Sequence, residues 1–142
     1  VVWAHNAHVF RGLPGVGSGV GRSPRPGDLD SMGRLFARDR KDRTYVIGFL
    51  AYQGSWSWLG NPEITFETAK DGTLEAAWHR QGHALSFVDL KALPPKHALR
   101  KPLPAVIDRQ NPFTLETVWP DGFDGVVFID AMKPRVQRKP AG

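Results

Sequence analysis

The sequence predicts an α/β fold, a largely parallel sheet with flanking helices. Segments typical of strands and of helices alternate along the chain, as they do where helices pack on a parallel sheet. The strand-like segments are almost continuously apolar, which is typical of strands covered on both faces. The 142 residues are 41% hydrophobic and 23% charged, ordinary values for a globular protein. Because we find no repeat or dividing linker, we expect one domain over residues 1–132 and a basic, disordered tail over 133–142.

The first predicted elements are a strand, a loop and a helix. Residues 1–4 are apolar and are followed by polar residues, which indicates a short buried strand. Residues 11–30 are rich in glycine, proline and serine and are predicted to form a long loop. Met32, Leu35 and Phe36 then recur at helical spacing, directly after several candidate N-cap residues. This pattern predicts a helix that ends at about residue 40.

The rest of the chain continues the alternation. Thr73 can cap a second helix, and Gly82 is the residue type expected just past a helix end. The other segments are assigned from their apolar and β-branched content: strands at 44–52, 64–68, 84–90 and 125–130, a helix from 74 to about 81, and a proline-rich loop over 91–113. Two helices are few for so many buried strands. We therefore expect the chain to be an incomplete part of a larger α/β enzyme.

The composition excludes several kinds of protein. The chain contains no cysteine, which rules out disulfides and cysteine nucleophiles and fits a cytoplasmic location. No apolar run approaches the roughly 20 residues that cross a bilayer, so no membrane partner is predicted. The net charge is +5, with basic clusters at 34–43 and in the tail, and phosphate-mediated nucleic-acid binding is one alternative. We favour a solvated helix end for the first cluster, since a helix C-terminus attracts cations.

Two histidines stand out in the Trp-Ala-His-Asn-Ala-His segment over residues 3–8. His5 and His8 follow the predicted first strand, at the edge where open α/β sheets gather catalytic groups. A helical turn there would place both rings on one side, and neutral histidine can act as a general base near pH 7. Such pairs also occur by chance, so a structural role stays open. Catalytic zinc sites usually need three protein ligands, so we predict no metal and no cofactor.

Three further residues are candidates for the same site. Glu75 lies four residues before His79 and on the same helix face, although a stabilising interaction with the helix dipole would also explain it. Trp56 and Trp58 follow the most apolar strand and either line a pocket for an apolar substrate or cover the sheet edge.

The glycine-rich segment 15–21 lacks the Lys-Ser/Thr of a phosphate-binding loop, so it is predicted to be a flexible loop.

The histidine segment resembles the histidine motif of erythromycin-esterase-like proteins. Other segments resemble motifs of that family in the same order, and together they cover about residues 1–130. They are Met32-Gly33 with Leu35, the strand residues 45–49 with Gly54-Ser55, the helix start Gly72-Thr-Leu-Glu75, and the last two strands at 87–90 and 123–130.

The resemblance implies hydrolysis of a carboxylic ester by histidine-activated water, in named members the lactone of a macrolide, a route to antibiotic resistance. His5 and His8 carry over as active-site histidines, and Glu75 as a third residue. The family's earlier segment, with a further histidine in a Gly-Glu-x-x-His context, has no counterpart here. We therefore expect the C-terminal portion of an esterase, inactive alone, whose partners are the missing N-terminal part and a small ester or lactone. The alternative is a non-catalytic remnant or binding domain of the same fold.

Overall fold

A computed structural model describes residues 1–11, 31–57, 62–108 and 113–134. It shows a mixed α/β arrangement of a four-stranded sheet, a two-stranded hairpin and helices. The helices are α1 (Asn6–Val9), α2 (Met32–Arg40), α3 (Leu74–His79) and α4 (Trp119–Gly122), with 3-10 turns at Lys41–Arg43 and Ala98–Arg100. The strands are β1 (Ile47–Trp56), β2 (Ile64–Phe66), β3 (Leu85–Asp89), β4 (Leu103–Asp108), β5 (Phe113–Thr117) and β6 (Gly125–Met132).

The four-stranded sheet is mixed, which corrects the prediction of a largely parallel sheet. Its strand order is β2-β1-β6-β3, and only the central pair, β1 and β6, is parallel among the strands described. The outer pairs β1–β2 and β3–β6 are antiparallel, as is the β4–β5 hairpin. Apolar content reports burial but carries no information on strand direction. β3 in fact alternates between exposed and half-buried residues, as antiparallel strands with one solvated face do.

The two longer helices begin where the sequence predicts, and α3 ends two residues earlier than predicted, at His79. Ser31 precedes α2, and its Oγ accepts a hydrogen bond from the Arg34 N–H at 3.1 Å while donating to the Phe10 carbonyl at 2.9 Å. Thr73 caps α3 by accepting from the Ala76 N–H at 3.3 Å. The capping side chains thus set where each helix starts, and Ser31 also joins α2 to the end of α1.

The hydrophobic core lies between one face of the sheet and the helices and hairpin packed on it. Phe10, from the end of α1, is fully buried with its ring edge-on to Trp119 at 5.8 Å and to Phe123 at 5.0 Å between ring centroids. The other buried members of this core come from β1, α3, β4, β6 and the connections: Leu50, Leu74, Trp78, Leu90, Leu99, Ala105, Val126 and Phe128. The core therefore connects α1 directly to the sheet.

The opposite face of the sheet is apolar and exposed within the described part of the chain. Register pairing aligns Phe49, Val127 and Phe87 across β1, β6 and β3. Its exposed side chains include Ile47 and Phe49 at 40% and Leu85 at 68%, while Val127 and Ile129 of the central β6 are half-buried. Covering both faces, as the apolar strands led us to expect, would require residues other than those described.

Three predictions of secondary structure differ from the structure or lie outside it. Residues 1–4 form no strand, because no described strand pairs with their backbone, and their first three side chains are exposed. β4 runs through the predicted loop 91–113; its Pro104 is tolerated because a two-stranded hairpin leaves one edge without ladder hydrogen bonds. Most of the predicted loop 11–30 and of the tail 133–142 lies outside the described residues.

Candidate functional site

The structure brings His5 and His8 together on a single helical turn. His5 is the N-cap residue of α1, and its Nδ1 accepts a hydrogen bond from the Ala7 N–H at 3.2 Å. The centroids of the two imidazole rings are 6.2 Å apart, with an angle of 75° between the ring planes. Both residues are exposed, so the pair faces away from the core.

Asn6, which lies between the two histidines, joins their helix to the sheet. Its Nδ2 donates to the carbonyl oxygen of Phe49 in β1, and its Oδ1 accepts from the Phe49 N–H at 3.0 Å. The side-chain amide thereby pairs with β1 much as a neighbouring strand would. No role for Asn6 was predicted from the sequence, because its partner on β1 lies 43 residues away.

A buried ion pair holds the other end of α1. The Arg11 guanidinium contacts the Asp124 carboxylate at 2.8 Å, and the two side chains are only 7% and 3% exposed. Asp124 also accepts a hydrogen bond from the Val46 N–H at 2.7 Å, while the Lys91 ammonium lies 3.6 Å away. The position of the histidine pair is therefore fixed at both ends, by Asn6 on β1 and by Arg11 on Asp124.

The two histidines differ in hydrogen bonding, since the His5 ring accepts a bond from the backbone and the His8 ring accepts none from the described residues. A nitrogen that accepts a hydrogen bond carries no hydrogen in neutral imidazole, so neutral His5 has its hydrogen on Nε2. The Nε2–H of neutral His5 is therefore a hydrogen-bond donor. The His8 ring makes no hydrogen bond within the described part of the chain and contacts His5. Its lone pair is available to accept a proton.

Glu75 lies in the interior of the protein. Its side chain is 0% exposed, and its Oε1 accepts a hydrogen bond from the Val106 N–H of β4 at 2.6 Å. The capping of α3 is done by Thr73, two residues earlier. Both α1 and α3 pack against β4, so this strand is the neighbour that the histidine helix and the Glu75 helix share.

Trp56 is not brought to the histidine pair. Trp56 is the last residue of β1, half-buried, and pairs in register with Ile64 of β2. It lies seven residues after Phe49, the residue that Asn6 contacts, which is about 23 Å along an extended strand. Trp58 lies outside the described residues.

The described residues contain neither a metal-binding cluster nor a membrane-spanning helix. No group of three or more histidine, aspartate or glutamate side chains there is arranged to hold a metal ion. None of the helices in that part of the chain is long and apolar enough to cross a membrane.

Comparison with known proteins gives one family match and two structural matches. The model of the erythromycin esterase family matches residues 1–132. No curated protein matches the chain. A crystal structure of a succinoglycan biosynthesis protein superposes with a TM-score of 0.71 and 13% identity, over 92% of this chain and 32% of that one. A crystal structure of a protein from Bacillus cereus superposes with a TM-score of 0.65 and 18% identity, over 92% of this chain and 33% of that one. At these identities the likeness establishes the fold alone, and the chain spans about a third of either structure's length.

Proposed function

The chain belongs to the erythromycin esterase family, and on that premise we propose that it supplies the histidine pair of an active site that hydrolyses carboxylic esters. The observation that carries the proposal is the placement of His5 and His8 on one turn of helix, fixed to β1 by Asn6. Exposed imidazoles held by a rigid support are suited to proton transfer, because little freedom is lost when they meet a substrate.

The different hydrogen bonding of the two rings suggests a role for each. His8 takes a proton from water while the water oxygen attacks the ester carbonyl carbon. His5 donates from Nε2–H to the carbonyl oxygen, which gains negative charge in the transition state. The bond to the alcohol oxygen then breaks, that oxygen takes a proton, and acid and alcohol leave.

The remaining groups of the site would come from elsewhere in a longer protein. This chain spans about a third of the structures it superposes on, and the orienting carboxylates and oxyanion donors must converge near the reacting atoms. Glu75 is proposed as a supporting carboxylate, because it binds the β4 backbone on which the histidine helix also packs. A macrolide lactone is one substrate of the proposed class.

The test measures hydrolysis of simple esters and of a macrolide lactone. Two proteins are compared, this chain and the chain joined to its natural upstream sequence, each with His5→Ala and His8→Ala variants. We expect activity in the longer protein only, and a loss of about 100-fold or more in either variant, the range for removal of a general base. His83→Ala, which changes an exposed histidine outside the proposed site, is the matched control and should leave the rate unchanged.

Each other outcome has a definite meaning. Activity that survives both substitutions would exclude the histidine pair as the site of hydrolysis. Activity in the short chain alone would show that half a site is the wrong description. Inactivity of both proteins would contradict the esterase proposal for these substrates and favour a non-catalytic domain of the same fold.

A further inference from the structure

A third histidine, remote in sequence from the pair, is held in a fixed orientation by two neighbours. The Nδ1 atom of His79, at the end of α3, lies 2.6 Å from the Asp130 carboxylate of β6. The ring also stacks on Tyr52 of β1, with 3.9 Å between centroids and 7° between planes. Tyr52 fixes the plane of the imidazole, and Asp130 fixes its rotation within that plane. Such double restraint is the usual requirement for a preorganised acid–base group.

The bond to Asp130 decides which ring nitrogen can exchange a proton. The carboxylate accepts a hydrogen from Nδ1 whether the ring is neutral or charged, so a proton is gained and lost at Nε2. The His79 side chain is 40% exposed, which leaves room for a ligand or water to reach it. In His5 the arrangement is reversed, because its Nδ1 accepts from a backbone N–H.

The cluster lies where the sheet would be expected to bind a ligand. Tyr52 and Asp130 stand side by side in the carboxyl-terminal halves of the two parallel strands, the edge at which open α/β sheets bind ligands. Tyr52 also forms one wall of an open cleft of about 510 Å³, whose other walls come from residues 67–71. Phe49, where Asn6 holds the histidine pair, is three residues earlier on β1, or about 10 Å along the strand.

We propose that His79 is the general acid of the same hydrolysis, with Asp130 and Tyr52 as its positioning residues; this inference rests on the proposed esterase function. The protonated ring gives the hydrogen on Nε2 to the oxygen of the departing alcohol as the bond from that oxygen to the carbonyl carbon breaks. His8 meanwhile has taken a proton from the attacking water. Exchange of one proton with solvent at each ring restores both, so ester and water give acid and alcohol with nothing left over.

A general acid is recognised by its dependence on the leaving group. The experiment compares an alkyl ester, whose alkoxide needs a proton to leave, with a p-nitrophenyl ester of the same acid, whose phenolate does not. His79→Gln in the chain joined to its upstream sequence should lower kcat on the alkyl ester about 100-fold or more and leave the p-nitrophenyl ester nearly unchanged. Asp130→Asn should show the same selectivity with a smaller loss. In the Asp130→Asn variant, nitrogen NMR should show that the tautomer of His79 shifts from Nδ1–H towards Nε2–H.

The controls separate failure of this inference from failure of the esterase proposal. His83→Gln, an exposed histidine beyond the end of α3, should leave both rates unchanged, whereas His8→Ala should lower both. An equal loss on the two esters in His79→Gln, or no loss on either, would overturn the role of His79 while the esterase proposal stands. A wild-type protein inactive on both esters would overturn the two together.

Discussion

Removing the charge of Asp124 should destabilise the protein more than removing its partner Arg11. In Asp124→Asn the new amide can still accept from the Val46 N–H, but the Arg11 guanidinium is left without its carboxylate at 7% exposure. The buried Arg11 Nε makes no hydrogen bond to any described residue. In Arg11→Met, by contrast, Asp124 keeps the Val46 N–H at 2.7 Å and the Lys91 ammonium at 3.6 Å.

The expected magnitudes follow from the burial of the two groups. Leaving a buried charge unpaired costs about 3–5 kcal/mol, which we expect for Asp124→Asn. Because Asp124 retains other partners, Arg11→Met should cost about 1–3 kcal/mol, near the value of one charge-assisted hydrogen bond. A protein of about 150 residues loses about 2–4 °C in Tm per kcal/mol, so Asp124→Asn should lower Tm by about 10 °C. The double variant should cost less than the two single variants together, since no buried charge is then left unpaired.

Urea and thermal unfolding of the wild type and the three variants measure these differences. Asp39→Asn is the matched control. Asp39 pairs with Arg38, but their side chains are 62% and 69% exposed, so the substitution should change the free energy of unfolding by no more than about 0.5 kcal/mol. Losses below about 1 kcal/mol in both Asp124→Asn and Arg11→Met would refute the reasoning. They would mean that water reaches the ion pair and that α1 is not held at Arg11.

Three other predictions concern the support of the histidine helix and its surroundings. Asn6→Ala removes both hydrogen bonds to Phe49 and should cost about 1–3 kcal/mol in urea unfolding, with a larger proportional loss of ester hydrolysis in the longer protein. Gly33→Ala should be destabilising by about 1–3 kcal/mol in the same assay, because its Cβ would lie 1.9 Å from the Val9 carbonyl oxygen; equal stability would contradict this close packing. Desolvation, with a hydrogen bond to Asp89 and nearby negative charge, raises the pKa of Tyr45 from 10.0 to about 12. The folded protein then holds the phenol proton more tightly than the unfolded chain does, so the protonated Tyr45 stabilises the fold below pH 10 and this stabilisation is lost as the pH rises towards 12. Ultraviolet titration of the wild type against Tyr45→Phe should place the ionisation of Tyr45 near pH 12, and ionisation near pH 10 would refute the prediction.

Local signals in the sequence predicted the elements whose stability is local. α2 and α3 begin at capping residues, Ser31 and Thr73, and β1 and β6 each begin with an apolar run of at least five residues. The histidine pair was predictable for the same reason, since two residues three apart meet on any helical turn. Strand direction was not, because it depends on how distant segments pair and leaves no mark on the composition of the strands.

The parts of the site that the sequence did not predict depend on long-range contacts. Asn6 contacts Phe49 across 43 residues, and His79 contacts Asp130 across 51. The sequence placed Glu75 at a helix start and made it a candidate for the site, but it did not predict the hydrogen bond that the buried carboxylate accepts from the Val106 N–H, 31 residues away. Periodicity and capping describe a segment and its immediate neighbours. The contacts that give these polar side chains their surroundings exist only once the sheet has formed.

The central pairing of β1 with β6 has a consequence for folding during synthesis. At the start of that pairing Val46 and Asp124 are joined across 78 residues of chain. At about 5–20 residues per second, a ribosome adds that length in roughly 4–16 s. Among the described strands that pair with β1, the short β2 is the one synthesised before that interval ends, so nascent chains with an uncovered β1 should be bound by chaperones at this stage. Contacts so distant in sequence also predict slow refolding, because the chain loses the entropy of closing a long loop before the contacts between β1 and β6 can form and stabilise it.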